Sequence, residues 1–350
     1  MKFGFLPAYS YLCSEMKLKT FLIVIGAWMA MAVQAQERDW ENPAVLGINK
    51  LPYHATLQMP SKEKECPEIF SLDGQWFFHW SRNPEERPKD FYREDYDVSQ
   101  WGKITVPGNW QTQGYGTPIY ININYPFVKD RPRVTTEPPK DWTAYENRNP
   151  VGSYVTFVDV TKAMKDNSNL ILHFGGVHSA FYLWINGQRV GYSQNSMSPA
   201  EFDVTKYMRV GKNKVAVEVY RWSDGSYLED QDYWRLSGIF RPVQLWVRPL
   251  VHIADYRVTA EPNADYSKAN VRARISLCNT GKKAAKNLQV ALKISQRDGS
   301  FVTSPANVTK EPSLCDIRPG DTTTIELTCT IEKPLLWSAK PAQESQRSSI

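Results

Sequence analysis

Val215-Ala216-Val217-Glu218-Val219-Tyr220 runs directly into Arg221-Trp222-Ser223-Asp224-Gly225-Ser226-Tyr227-Leu228-Glu229-Asp230-Gln231-Asp232-Tyr233-Trp234-Arg235-Leu236-Ser237-Gly238-Ile239-Phe240-Arg241. The first six residues alternate, with Val215, Val217 and Val219 on one side and Ala216, Glu218 and Tyr220 on the other. That is the two-residue period of a β-strand. The next twenty-one crowd Glu229, Asp230 and Asp232 among Trp222, Tyr233 and Trp234. Loops that leave a β scaffold are where binding chemistry concentrates. Aromatic rings stack on the C–H faces of a sugar, and fixed carboxylates accept its hydroxyls. The same residues also fit a plainer arrangement, with Trp222 and Trp234 as core and the acids as solvated loop.

Outward from this stretch the strand pattern continues. Ile69 to Trp80 reads as strand, Asp73-Gly74 turn, strand, and Ile104-Thr105-Val106 is a short strand ended by Pro107. Gly152 to Val160, Leu170 to Gly175, Ala180 to Ile185 and Gln188 to Tyr192 are further strands. Asn186-Gly187 between the last two is the strongest hairpin signal in the chain. No long amphipathic helix precedes residue 250. Short strands at this spacing predict an all-β, jelly-roll type sandwich over residues 69–250. Residues 36–68 lack a period, and Asp39-Trp40-Glu41-Asn42-Pro43 reads as an arm lying on another surface.

From Val251 a second block begins. Val271, Ala273, Ile275 and Leu277, then Leu288, Val290, Leu292 and Ile294, then Thr324, Glu326, Thr328 and Thr330, alternate with their neighbours. Gly281, Asp298-Gly299 and Pro319-Gly320 mark turns. About seven short strands in about 100 residues predict an immunoglobulin-like sandwich over 251–350. The polar tail from Ser338 stands where one more strand is expected, so the sandwich is read as missing its last strand.

The 350 residues carry a formal charge of +5, with both signs interspersed. No Lys/Arg run is dense enough to track phosphates, so no nucleic-acid partner is expected. Met16-Lys17-Leu18-Lys19, the apolar Phe21 to Val33 and the small residues at Val33 and Ala35 form a secretory signal, with cleavage expected after Ala35. Residues 1–15 are then an upstream extension, and loss of Lys2, Glu15, Lys17 and Lys19 takes the charge to +3. The apolar run is short for a membrane span, although a membrane-anchored N-terminus is the alternative. Export to the periplasm or cell surface follows from the signal. Of five cysteines, Cys13 would leave with it. Cys66, Cys278, Cys315 and Cys329 have no metal-binding spacing, and either a disulfide among Cys278, Cys315 and Cys329 or plain thiols fits the sequence.

Several stretches together resemble the N-terminal part of family-2 glycoside hydrolases of the β-galactosidase type. They are Asp39 to Pro43, Leu72-Asp73-Gly74-Gln75-Trp76, Val106-Pro107-Gly108-Asn109-Trp110-Gln111, and Pro118-Ile119-Tyr120-Ile121-Asn122-Ile123-Asn124-Tyr125-Pro126. Phe174 to Gly187, Gly191-Tyr192-Ser193-Gln194, Glu201-Phe202-Asp203 and the opening stretch continue the series in order, over about residues 37–340. The resemblance implies hydrolysis of terminal β-D-galactosides with retention, on a separate (β/α)8 barrel whose rim the jelly roll completes. It implies that Asn122 helps hold the galactosyl group, and that Asp232 binds sugar hydroxyls and is one ligand of a sodium ion. Magnesium and homo-oligomers occur in the full-length family.

The family's chemistry needs two glutamates, about 5–5.5 Å apart in retaining enzymes, carried on a barrel of about 250 residues. No such array follows the second sandwich, so no catalytic residue is assigned. Glu229, Asp230 and Asp232 are rejected as a substitute pair, since Asp232 is already assigned to binding. After Glu332 to Ala339 the family pattern gives way to Lys340-Pro341-Ala342-Gln343, which reads as a truncated gene or shifted frame. The strand at Ser153 to Asp166 looks shorter and less regular than the family's, which predicts a looser edge there. Two functions follow: the N-terminal part of a β-galactosidase, inactive alone, or a stand-alone lectin-like carbohydrate-binding module.

Overall fold

The computed structural model describes residues 38–55, 68–122, 124–229, 232–295 and 313–336. The signal at 16–35, Cys13, Cys66, Asp230 and the tail from Ser338 lie outside the described residues.

The strands in chain order are β1 Gly47–Ile48, β2 Glu68–Ser71, β3 Gly74–Ser81, β4 Gly102–Val106, β5 Ile119–Ile121 and β6 Val151–Val160. A short helix α1, Lys162–Lys165, precedes β7 Ser168–Phe174. Then come β8 Val177–His178, β9 Ala180–Ile185, β10 Gln188–Gln194, β11 Ala200–Asp203, β12 Gly211–Tyr220, β13 Tyr233–Arg235, β14 Gly238–Ile239 and β15 Val243–Pro249. These build a seven-stranded sheet, β1-β10-β9-β12-β6-β3-β4, over a four-stranded sheet, β11-β7-β15-β2. Leu172, Phe174 and Leu245 from the smaller sheet meet Leu183, Val217 and Val219 from the larger in one core. This is the jelly-roll sandwich. Asn186 and Gly187 take φ of +49° and +79° and join β9 to β10, as the dipeptide predicts.

One expectation changes, that of a loose edge at Ser153, and two matters the sequence left open are decided. The Asp73-Gly74 turn does not close a hairpin: β2 pairs with β15 while β3 pairs with β4 and β6, so the turn carries the chain between the two sheets. The stretch from Ser153 is no loose edge. β6 is a regular strand inside the larger sheet, paired with β12 from Val151 to Val160 without a register shift and with β3 on its other side. The alternation in β12 does not separate a dry face from a wet one. Both faces are buried, and Glu218 is accommodated by Arg87 Nε at 3.0 Å and by the Tyr220 hydroxyl, which donates at 2.5 Å.

The cover over that second face includes the N-terminal arm. Its surface is the chain's own sandwich: Trp40 is 1% exposed and stacks on Tyr220, with centroids 3.9 Å apart. Asp39 accepts from Tyr182 Oη and Arg189, each at 2.9 Å, and Glu41 accepts from the backbone of Val134 and Thr135. Further along the arm, His54 reaches Glu201 of β11.

The immunoglobulin-like sandwich holds β16 Val251–Pro262, β17 Lys268–Asn279, β18 Ala285–Val290, β19 Ser313–Ile317 and β20 Thr322–Glu332. Sheet β16-β17-β20 faces β18-β19, and Ala273, Ile275, Leu277, Ile317 and Leu327 form its core. β17 alternates buried and accessible residues throughout. Cys278, Cys315 and Cys329 are free thiols. The two sandwiches are tied by Asn169 Nδ2 donating to Thr280 Oγ1 at 2.6 Å and by the Ala55 amide donating to Asp255 at 2.8 Å.

Candidate sugar-binding rim

Beyond the two main sheets, β5 and β13 form a two-stranded antiparallel ribbon, with Tyr233 opposite Ile121, Trp234 opposite Tyr120 and Arg235 opposite Ile119. Side chains alternate across such a ribbon. One face carries Tyr120 and Trp234, 50% and 57% exposed. Continuing the register by one rung sets Asn122 against Asp232, both exposed, on that same face. The other face is packed, and Arg235 on it is 3% exposed. Two residues 110 positions apart in the chain thus become neighbours because their strands pair.

The Tyr120 hydroxyl donates to Asp232 Oδ1 across the diagonal of the ladder. This bond, together with the nearby negative charge, raises the Tyr120 phenol above its ordinary value of 10. Tyr120 and Trp234 lie 5.7 Å apart and tilted at 58°, an open aromatic pair beside the carboxylate. The expected consequence is that Asp232→Asn returns the Tyr120 phenol toward its ordinary value, read by NMR titration of ring-labelled tyrosine with Tyr120→Phe for assignment. An unchanged titration would remove the bond from the description of the site.

Behind the ribbon lies a buried basic cluster. Arg221 Nη2 donates to the carbonyls of Thr117 and Arg235 at 2.9 and 3.1 Å, and Arg235 Nη1 donates to the Glu229 carbonyl at 2.8 Å. His178 bonds through Nδ1 to the Leu236 carbonyl. Burial lowers the imidazole to about 4, with Arg221 and Arg235 pushing the same way, so it is neutral at pH 7. Asp224, three residues after Arg221 in the chain, has its carboxyl raised to about 6 by burial.

The acids of the opening stretch therefore part company. Glu229 accepts from the Ser196 amide at 2.8 Å and its hydroxyl at 2.6 Å, so its carboxylate fastens the loop to the scaffold. Asp232 faces the exposed side. Trp222 is core, 3% exposed against Trp40, Phe127 and Tyr227, whereas Trp234 is on the surface. Tyr120 was not singled out from the sequence, although its place two residues before Asn122 puts it on the same strand face. Arg221 and His178 carry no comparable signal, because their partners are backbone carbonyls.

Among the described residues no group of three or more His, Cys, Asp or Glu could hold a metal ion. Asp232 is a suitable single oxygen ligand for a hard cation such as sodium. That fits a shared site and not a self-contained one. Magnesium finds no such donor set among the described residues.

Residues 69–249 match the description "Glycosyl hydrolases family 2, sugar binding domain", and residues 251–347 match "Glycosyl hydrolases family 2". A β-galactosidase of Priestia megaterium (strain DSM 319 / IMG 1521) is 37% identical over 311 residues, covering 86% of this chain. The chain spans 29% of the length of that relative. Among solved structures, a Bacteroides uniformis β-glucuronidase superposes with a TM-score of 0.60 at 19% identity, over 78% of this chain and 29% of that one. A family-2 member from Bacteroides cellulosilyticus DSM 14838 gives 0.54 at 21%, over 77% and 32%. At such identities the likeness speaks for the fold alone.

Proposed function

The chain belongs to glycosyl hydrolase family 2, and on that premise we propose that it is the sugar-binding N-terminal portion of a β-galactosidase. The observation that carries this reading is the exposed face of the β5–β13 ribbon, where Tyr120, Trp234, Asn122 and Asp232 stand together. Galactose presents an apolar C–H face and a set of hydroxyls. The ring pair takes the face, Asn122 offers an amide that both donates and accepts, and the Asp232 carboxylate accepts hydroxyl protons. With one Asp232 oxygen occupied by Tyr120, the carboxylate is held in a fixed orientation before a sugar arrives. Sodium bound at Asp232 would supply positive charge beside the sugar's oxygens, its remaining ligands coming from elsewhere.

The retaining chemistry of the family requires a pair of glutamates. The described residues hold no strand–helix alternation of barrel type, so this reading assigns the chain to substrate recognition. The choice of galactoside over glucuronide rests on the 37% identity to a β-galactosidase. Export to the periplasm or cell surface, resting on residues 16–35, belongs to the same proposal, as does homo-oligomer formation.

A galactose titration followed by NMR tests it. The expected result is a shift of the Trp234 indole and Asn122 amide signals, with affinity of about millimolar or weaker, since one rim buries little of the sugar. Replacing sodium by tetramethylammonium should weaken the response, and Asp232→Asn should cut affinity about tenfold or more and abolish the sodium dependence. No perturbation of a folded ribbon would sink the reading. The exposed ring pair on the chain itself favours a second reading, a lectin-like module. That reading requires saturable, sodium-independent heat in calorimetry, lost in Trp234→Ala.

A further inference from the structure

We propose that Arg221 is a positioning residue that holds the two strands of the rim in register from beneath, a role that rests on reading the β5–β13 ribbon as a sugar-binding surface. Its two carbonyl partners lie on the two sides of the ribbon. Arg235 is the last residue of β13, and Thr117 lies just before β5. Because Arg235 is opposite Ile119, the ladder ends at that rung, and Thr117 lies beyond it on the β5 side. At that end a single nitrogen, Nη2, donates one proton to each side. Arg221 itself is fixed at the end of β12: its amide donates to the Pro150 carbonyl at 2.9 Å, and its guanidinium lies 4.8 Å from the Trp222 ring centroid. The ribbon is thereby referenced to the central strand of the larger sheet.

A cation is a costly way to satisfy two carbonyls here. Arg221 is 3% exposed, and among the described residues its Nε has no hydrogen-bond partner and no carboxylate offsets its burial, which lowers the guanidinium to about 10. The basic groups beside it, neutral His178 on β8 and Arg235 on β13, bring no negative charge. Replacing a buried charge by an apolar group of similar volume is often neutral for stability. What the guanidinium contributes that an apolar chain would not is geometry. Without it the Thr117 carbonyl loses this donor and the Arg235 carbonyl keeps only its ladder partner, and the strands can relieve that by moving apart toward water. The feature most sensitive to such a shift is the diagonal bond from Tyr120 to Asp232, which spans both strands.

The test is Arg221→Met, with the cross-strand contact of the Tyr120 and Trp234 rings, read as nuclear Overhauser effects, as reporter because it needs no sugar. In a folded variant with unchanged near-ultraviolet circular dichroism of the core, that contact should weaken several-fold or vanish, and the galactose response should weaken at least as much as in Asp232→Asn. An unchanged ring contact in the folded variant overturns the proposal. If Arg221→Met does not fold, the unmodified protein decides. The Nη2 protons of Arg221 should exchange with solvent far more slowly than those of exposed Arg93, and exchange as fast as Arg93 overturns the proposal. A ring contact that weakens as expected, in a protein that shows no galactose response at all, upholds the positioning role and defeats the sugar-binding reading alone.

Discussion

Replacing Trp40 with alanine should lower the unfolding free energy by about 3–5 kcal/mol, the range for truncating a fully buried large aromatic. The indole is 1% exposed, stacks on Tyr220 at 3.9 Å and meets Tyr182 edge-on at 6.4 Å. It also closes the cluster formed by Phe127, Trp222 and Tyr227 under the candidate rim. Little can collapse into the space, because Asp39 and Glu41 on either side are tied to Tyr182, Arg189, Val134 and Thr135. Trp40→Phe should lose clearly less. It keeps a ring against Tyr220 and removes an indole N–H that is buried without a partner. Urea unfolding of the two variants checks this, and equal losses would show that the stack contributes nothing beyond volume. A negligible loss for Trp40→Ala would mean that the arm does not dock in solution.

Glu201→Gln should produce an effect of similar size and a distinctive pH profile. The Glu201 carboxylate is 7% exposed and meets three basic side chains: His54 at 3.1 Å, His173 at 3.0 Å and Arg248 at 3.2 Å. Burial alone would raise its pKa. The hydrogen bonds from His173 and His54 and the charges of His54 and Arg248 outweigh that and lower it from 4.5 to about 2. A lowered carboxyl contributes stability above its unfolded pKa and loses it as pH falls through the folded value. The loss therefore runs from pH 4.5 down to about 2 and amounts to about 3 kcal/mol. His54 has the opposite sign. Its hydrogen bond to Glu201 raises its pKa above 6.5 despite burial, so its contribution is full below pH 6.5 and is lost as pH rises through the raised value. The cluster is strongest between about pH 4.5 and 6.5. Glu201→Gln should cost about 3–5 kcal/mol there, since breaking a buried pair strands the remaining charges. It should also flatten both limbs. Denaturant unfolding between pH 3 and 9 measures this, and limbs that persist in the variant would assign the pH dependence to other groups.

The location of Glu201 explains why this matters beyond stability. His54 belongs to the arm, His173 to β7, Arg248 to β15, and the neighbouring Ala55 amide bonds Asp255 of the second sandwich. On the second sandwich, His252 feels the charges of Arg248 and His54, and Asp255 accepts from the Ala55 amide. One carboxylate thus fastens the arm, the smaller sheet and, through the arm, the junction of the two sandwiches.

The all-β class was legible because it is written in short-range patterns. Val215-Val217-Val219, Val271-Ala273-Ile275-Leu277 and Asn186-Gly187 each specify a period or a turn within a few residues, and period and turn chemistry are local properties. What stayed open is which elements pair. Asp73-Gly74 looks the same whether it closes a hairpin or carries the chain to another sheet. The alternation of β12 defines two faces without saying what covers each, and loops and arm from distant parts of the chain cover the second one, where Glu218 is buried with Arg87.

The candidate rim divides in the same way. The sequence by itself determined that Asn122 and Asp232 sit in aromatic-rich stretches suited to a sugar. It could not separate Trp222 from Trp234, since burial depends on what lies above each ring. Only the tertiary structure made Trp222 part of the core and left Trp234 exposed. Only pairing of β5 with β13 put Tyr120 against Asp232 and set Asn122 one rung away, because contacts between residues about 110 positions apart are fixed by register and not by composition. The residue types that can bind a sugar are a property of the chain, and their convergence on one exposed face is a property of the fold.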